Sequence, residues 1–339
     1  MSIRVIKSGI WDTVQDPGRT GYQHWGVNPG GAMDRHGLML ANLLVGNAAN
    51  DPALELHFPS AQLLFIRPAV FVLTGGDFAP RLNGKPIPLL QPILAGADSY
   101  LQFGKPQRGS CVYMAVRGGL MADRWLGSHS TDTRVVRGGY QGRRLMKGDE
   151  IATYHTPVAS LPSAHHHIFS WKAPDDLLPG AQGVFHHKTG IGFIRGPEWD
   201  HLTAASKDAI TQTVFCIGPR SDRMGYRLEH PPLERAVTDE LPSSAVSFGT
   251  VQLLPDGQLI VLMAGHQTTG GYPRVAQVIT AHHGRMAQLR MGEKLRFVEA
   301  RADLAERLFR QQRQYLHQLG LGAQLRWSEW ERSLTQRSI

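Results

Sequence analysis

Short apolar runs alternate with turn residues along most of this chain, and that spacing sets the first expectations. The segments AQLLFI (61–66), AVFVLTG (69–75), SCVYMAV (110–116), AVSFGTVQLL (245–254) and QLIVLMAG (258–265) are rich in β-branched and aromatic residues. Gly, Pro or Asp bounds them, so each reads as a strand. GIGFIRG (190–196) is a near miss to a dinucleotide loop but sits in a strand-like run, and it is read as structural. Two stretches follow the helical period instead. Asp34 can cap a helix in which Leu38, Ala41, Leu44 and Val45 share one face until Gly46 stops it. Residues 302–320 place Leu304, Leu308, Tyr315 and Leu319 on one stripe, with Gly320 as the expected terminator. The pattern predicts a mainly β protein with short helices and a C-terminal helix.

The chain also repeats itself. IRVIKSGIWD (3–12) and IGFIRGPEWD (191–200) both end in Trp-Asp, at Trp11-Asp12 and Trp199-Asp200. The motif D-R-x-G-x-x-L follows 22 residues after each Asp, as DRHGLML from Asp34 and DRMGYRL from Asp222. Farther on, an apolar strand leads into LGSHSTDTR (126–134) and again into AGHQTTGGYPR (264–274). Each half then closes on a Gly-acid turn, KGDEI (147–151) or MGEKL (291–295). Four matches in one order predict a duplication. The expected halves are 1–155 and 190–299, with a Pro/Ala/Ser/His-rich linker at 156–189 and a helical tail at 300–339.

Composition narrows the picture. A chain of 339 residues with 42% hydrophobic content supports two domains, while 37 Gly and 21 Pro agree with many turns. No stretch approaches about 20 uninterrupted apolar residues, and MSIRVIKSG has no apolar leader core, so no membrane partner and a cytoplasmic location are expected. Cys111 and Cys216 are isolated, which argues against a disulfide framework or a cysteine zinc site. His165–His167 lies in the linker without partner ligands at metal spacing, so no metal is expected. The net charge of +8 comes from dispersed arginines that do not interleave with aromatics, and a nucleic-acid partner is not expected.

The sequence lacks GxxxxGK[ST], GxSxG, HExxH and a strand-linked GxGxxG, so no P-loop, serine hydrolase, zinc protease or Rossmann reading follows. Three polar loops carry the candidate chemistry. In TVQDPGRTG (13–21), Arg19 offers a planar fork for a carboxylate or phosphate, and Asp16 can orient it, take a proton or brace the turn, with Gln15 beside them. In SDRMGYRL (221–228), Asp222, Tyr226 and Arg227 crowd a partly buried stretch, either as a site or as an ion-pair network. In HQTTGGYPR (266–274), Thr268 and Thr269 supply hydroxyls, and Gly270 and Gly271 allow close backbone approach to an oxyanion. Tyr272 can cover a ring, and Arg274 adds charge.

These segments, with VRGGL (116–120) and GGYQGRRLMKGDEI (138–151), resemble the biotin-dependent carboxyltransferase-like family over residues 1–298. The family includes the C component of bacterial 5-oxoprolinase, the Kip antagonist and part of urea carboxylase. The resemblance implies two tandem cyclophilin-like β-barrel domains. It implies an ATP-dependent opening of the small-molecule substrate 5-oxoproline to L-glutamate, beside the B and A components of 5-oxoprolinase as partners. The alternatives are a biotin-dependent carboxyltransferase component, for which this chain has no Met-Lys-Met acceptor of its own, and a non-catalytic antagonist of a kinase inhibitor. The chain departs from the family pattern at Gly265 and His282, where carboxylates are usual. Either reaction develops oxyanion charge at a carbonyl and needs cationic and N–H donors plus a base. On the implied mechanism Arg19, Arg227 and the Thr268–Gly271 loop bind anionic oxygens. Asp16 or Asp222 is the base, and Gln15, Tyr226 and Tyr272 contact substrate.

Overall fold

A computed structural model describes residues 3–154, 163–174, 190–237 and 240–337. They divide into two compact units, and the chain passes from one to the other four times. The first unit takes 3–18, 34–154, 163–174 and 313–337, and the second takes 19–33, 190–237 and 240–312.

The first unit contains, in chain order, β1 (Ile3–Lys7), β2 (Thr13–Gln15), helix α1 (Arg35–Leu44), β3 (Ala53–His57), β4 (Gln62–Phe65), β5 (Ala69–Asp77) and β6 (Arg81–Leu82). There follow β7 (Lys85–Pro86), β8 (Ile93–Ala95), β9 (Ser99–Gln102), β10 (Arg108–Val116), β11 (Glu150–Ile151) and β12 (His166–Ile168). These strands build two six-stranded sheets, ordered β11-β1-β4-β9-β6-β7 and β12-β8-β5-β10-β3-β2. Between the sheets lie Ile3, Val5, Leu63 and Phe65 with Leu54, Phe71, Leu73, Val112 and Met114, all buried. The opposite faces of β5 and β10 carry α1. That explains why Val70, Val72 and Ala115 are buried too, and why β5 and β10 read as continuous apolar runs.

Helix α1 begins and ends where local chemistry directs it. The Asp34 carboxylate accepts from Gly37 N at 2.8 Å, and Gly46, at φ 77°, follows the Val45 cap. His165–His167 was expected in a linker, yet His166 and His167 pair with Ala95 and Leu94 in the second sheet. Of the expected linker, 156–162 and 175–189 lie outside the described residues.

The second unit contains β13 (Gly190–Arg195), α2 (Ala204–Gln212), β14 (Phe215–Ile217), β15 (Gly225–Glu229), β16 (Ser244–Ala245), β17 (Thr250–Leu253) and β18 (Leu259–Leu262). It continues with β19 (Thr269–Gly270), β20 (Arg274–Val278), α3 (His283–Ala287), β21 (Lys294–Glu299) and the first part of α4 (Ala302–Arg337). Seven strands close a barrel in the order β13-β20-β17-β18-β15-β14-β21. Phe193, Phe215 and Phe297 pack edge to face in its core, with ring centroids 5.2–5.8 Å apart. The single run read at 245–254 is two strands, because the chain turns at Gly249, φ 84°.

The expectation of two tandem barrels is corrected: among the described residues only the second unit closes one. Closure depends on the chain ends of each half. In the second, β13 and β21 pair in parallel, Gly190 opposite Arg296 and Phe193 opposite Glu299, and complete the ring. In the first, the two-residue β11 pairs antiparallel with β1, Ile3 opposite Ile151, at the edge of an open sheet.

The repeated motifs also diverge in structure. DRHGLML caps and starts a helix, whereas in DRMGYRL the Asp222 carboxylate accepts from Met224 N and Gly225 N to close a turn into β15. Asp12 is buried and Trp11 exposed, while in the second copy Trp199 is buried and Asp200 faces solvent.

Helix α4 runs for 36 residues instead of stopping at Gly320. A glycine costs a helix interior about 1 kcal/mol, and the packing around it outweighs this. A Cβ at Gly320 would lie 3.0 Å from Leu43 Cδ2, and farther along Trp327 is buried with its Nε1 donating to Leu44 O at 3.0 Å. No helix among the described residues is long and apolar enough to cross a membrane.

Candidate active site

In the first unit the candidate residues sit at the end of β2. Strand pairing sets Thr13 opposite Glu55, Glu55 opposite Tyr113, and Tyr113 opposite Thr74, across β2, β3, β10 and β5. All four are buried, so a polar row crosses an otherwise apolar sheet. The Tyr113 hydroxyl donates to Glu55 Oε2 at 2.6 Å and accepts from Asp34 N at 2.8 Å, and Thr74 Oγ1 donates to Gly37 O at 2.7 Å. The row therefore docks the first turn of α1. Burial and the neighbouring Glu55 and Asp34 charges push the Tyr113 phenol well above its usual range. Gln15 Nε2 joins the row at Thr13 Oγ1, 2.9 Å away, and donates to Thr131 O at 3.4 Å.

Asp16 follows and is the hub of a second network. Its Oδ1 accepts from Gly18 N at 2.7 Å and from Ser128 Oγ and Ser130 Oγ at 2.6 Å each, and its Oδ2 accepts from His129 N at 2.5 Å. Thr131 donates both its N–H and its hydroxyl to Val14 O. The loop 126–134 is thereby stitched to residues 13–18. Ser128, His129 and Ser130 were missing from the predicted site; the repeat that aligned LGSHSTDTR with the richest loop was the signal that pointed to them. Arg35 belongs here as well. Burial lowers its guanidinium from the usual range, and the Asp16 charge opposes that shift.

The chain passes into the second unit between Gly18 and Arg19. The Arg19 side chain is 2% exposed, its N–H donates to Pro29 O at 2.8 Å, and a Cβ at Gly30 would stand 3.0 Å from its Nη1. Gly30 has φ 61°, so the backbone shape and the close arginine both require glycine there. Arg223 Nη2 donates to Gly31 O at 2.5 Å, and Gly265 N donates to Arg223 O at 2.6 Å. The segment 28–31 and the turns at 222–225 and 264–266 thus share one hydrogen-bonded cluster.

The remaining predicted residues differ in availability. Tyr226 is buried in the barrel, its hydroxyl donating to Ala287 O at 3.1 Å, and Arg227, next along β15, is half-buried. Thr269 and Gly270 form β19 against Ser244 and Ala245. The two glycines admit protein close by: a Cβ at Gly270 would be 2.6 Å from Gln252 Nε2, and one at Gly271 would be 3.2 Å from Leu241 O. Thr269 and Tyr272 are exposed and Thr268 half-exposed, so these side chains face solvent at the loop's rim. Arg274 is held by Glu198 through Nε–Oε2 at 2.9 Å and Nη2–Oε1 at 2.6 Å, and that guanidinium keeps the Glu198 carboxyl below its usual range.

Both departures from the family pattern have a local account. A Cβ at Gly265 would lie 3.0 Å from the Arg223 carbonyl, so any side chain there must move backbone. His282 is buried and accepts from Gly192 N at 2.8 Å through Nδ1, an acceptor duty that suits a neutral imidazole. Burial chiefly, with the Arg285 and His283 charges, pushes its pKa down to about 3.

Residues 25–299 match the family described as "Carboxyltransferase domain, subdomain A and B". The chain belongs to this carboxyltransferase-domain family, related to the C component of 5-oxoprolinase and to the urea carboxylases. It is 36% identical to the C component of the Escherichia coli 5-oxoprolinase over 319 residues, covering 94% of this chain and 97% of that protein. It is 32% identical to the urea amidolyase of Lachancea kluyveri, covering 91% of this chain but 17% of that one. Among solved structures the K. lactis urea amidolyase superposes with a TM-score of 0.84 at 29% identity, over 94% of this chain and 20% of that chain. The chain therefore spans about a fifth of the urea amidolyases it matches.

Proposed function

We propose that this chain is the carboxyltransferase-type component of a larger assembly and acts at the carbonyl of an amide or ureido group. The observation that carries the reading is the family match across residues 25–299. Such chemistry requires preorganised cations and N–H donors where oxyanion charge develops. In this reading Arg19 and Arg227 bind anionic oxygens, and Thr268 and Thr269 contribute hydroxyls at the rim, with the backbone of Gly270 and Gly271 beside them. Tyr272, 44% exposed, presents its ring to a substrate. Gln15 and Tyr226 each support the loop of their own unit. Asp16 and Asp222 close the turns that hold these groups, since their carboxylates already accept from several donors.

Two reactions fit. Carboxyl transfer from carboxybiotin carried by a partner chain is supported by the family description and by the likeness to urea amidolyase. ATP-dependent opening of 5-oxoproline, with the A and B components alongside, is supported by correspondence over 97% of the Escherichia coli 5-oxoprolinase C component. In both, ATP or carboxybiotin is a cosubstrate of the assembly.

Co-expression with the products of neighbouring genes, followed by two assays on the purified assembly, tests this. Glutamate released from 5-oxoproline with ATP selects the second reaction. Labelled carboxylate moved from a biotinylated carrier to urea selects the first. An assembly that performs neither overturns the proposal. In whichever reaction is found, Arg19→Ala and Arg227→Ala each lower turnover by roughly 10²–10³-fold.

A further inference from the structure

The first unit holds a pocket of about 360 Å³ that shares no residue with the site described above. It lies between the end of β5, the β6–β7 hairpin, the start of β10 and the segment after β12. Its charged lining is unbalanced: Arg81, Arg108 and Lys172 face one acid, Asp77. The Asp77 Oδ1 is engaged by Ala79 N at 2.8 Å, and Arg81 is oriented by its Nη1 bond to Gly84 O at 2.9 Å. Pro80, Pro86, Ile87 and Leu89 add hydrocarbon to the lining.

The chain segment that carries much of the lining is also backbone-strained. Among the described residues eight non-glycine positions have positive φ, and three of them, Ala79 (45°), Asn83 (52°) and Leu90 (60°), fall within 79–90. Asn tolerates this region, but Ala and Leu are strained in it. The surrounding bonds, Ala79 N to Asp77 Oδ1 and Leu90 N to Leu73 O at 2.8 Å, hold the segment in that shape. Strain of this kind concentrates at ligand clamps.

We propose that this pocket binds a small organic carboxylate with a hydrocarbon body. Arg81, Arg108 and Lys172 meet the anionic head, and the proline-rich lining covers the chain. The volume lies at the small end of the roughly 300–1,000 Å³ of ligand pockets, which fits a short acid better than a nucleotide. A purely inorganic anion would use the cations and leave the apolar lining idle.

The test uses the full chain and three probes: hexanoate, the neutral hexanamide, and inorganic phosphate. Calorimetry gives affinity, and methyl NMR of Ile87 and Leu89 reports the place. Hexanoate is expected to saturate one site and shift both methyl signals. Hexanamide and phosphate are each expected to bind at least tenfold more weakly. The double variant Arg81→Gln/Lys172→Gln, at two exposed positions, should weaken hexanoate by at least tenfold while the folded spectrum is retained. Absence of saturable hexanoate binding overturns the proposal. So does binding indifferent to the double variant, or phosphate binding as tightly as hexanoate.

Discussion

Replacing Asp16 separates an anchor from a base. The carboxylate is 5% exposed and accepts four hydrogen bonds, two from the backbone N–H groups of Gly18 and His129 and two from the hydroxyls of Ser128 and Ser130. In Asp16→Ala the Ser130 hydroxyl has recourse, its Oγ already 3.3 Å from Asp16 O, whereas Ser128 Oγ keeps only its acceptor role toward Ser130 N. The N–H groups of Gly18 and His129 lose the acceptor that Asp16 provides. A stranded buried donor costs about 1–3 kcal/mol, giving roughly 2–6 for the pair, and because Gly18 and His129 are only half-buried the expected loss is about 2–4 kcal/mol. Asp16→Asn keeps Oδ1 but turns an NH₂ toward His129 N–H, losing one charge-assisted bond at about 1.5–3 kcal/mol. Urea denaturation followed by tryptophan fluorescence measures both losses, and hydrogen exchange should show faster opening confined to 126–134. An Asp16→Asn protein within about 0.5 kcal/mol of wild type but devoid of turnover in the assembly would refute the anchoring argument and make Asp16 a catalytic base.

Three further outcomes follow from buried or paired groups. Burial above all, with the nearby Glu55 charge, pushes the Asp12 carboxyl up to about 7, against the N–H groups of His57 and Ala61 that it accepts. Its contribution is therefore complete below the unfolded value near 3.8 and is lost as pH rises through 7. The stability difference between wild type and Asp12→Asn should shift toward wild type as pH falls from 7 to 4, and a pH-independent difference in denaturation midpoints would contradict it. Arg274→Lys should destabilise the barrel by about 1–3 kcal/mol, because lysine cannot reproduce the two-pronged contact with Glu198; chemical denaturation showing no change would remove that pairing from the account. Trp327→Ala should cost about 3–5 kcal/mol in thermal unfolding. It deletes the ring packed against Phe169, Trp171 and Trp330 and under the Arg117 guanidinium, and a smaller loss than about 1 kcal/mol would mean that α4 docks without it.

What the sequence determined by itself was local. The cap at Asp34, the stop at Gly46, the short strands between Gly, Pro and Asp, and the family resemblance needed only neighbours along the chain, because capping and turn preferences act over a few residues. Tertiary structure decided the rest. One motif, D-R-x-G-x-x-L, became a helix start over β5 and β10 in one place and a turn into a barrel strand in the other, since its surroundings, not its letters, offered the burial. Gly320 did not end α4, because contacts with Leu43 and the Trp327 cluster outweigh its intrinsic penalty. Among the described residues only the second half closed its barrel, because closure needs a long-range pairing that a strand's own composition cannot specify. The same holds for the row Thr13–Glu55–Tyr113–Thr74: residues far apart in the chain meet through sheet register, and no periodicity along one strand announces the partner on the next.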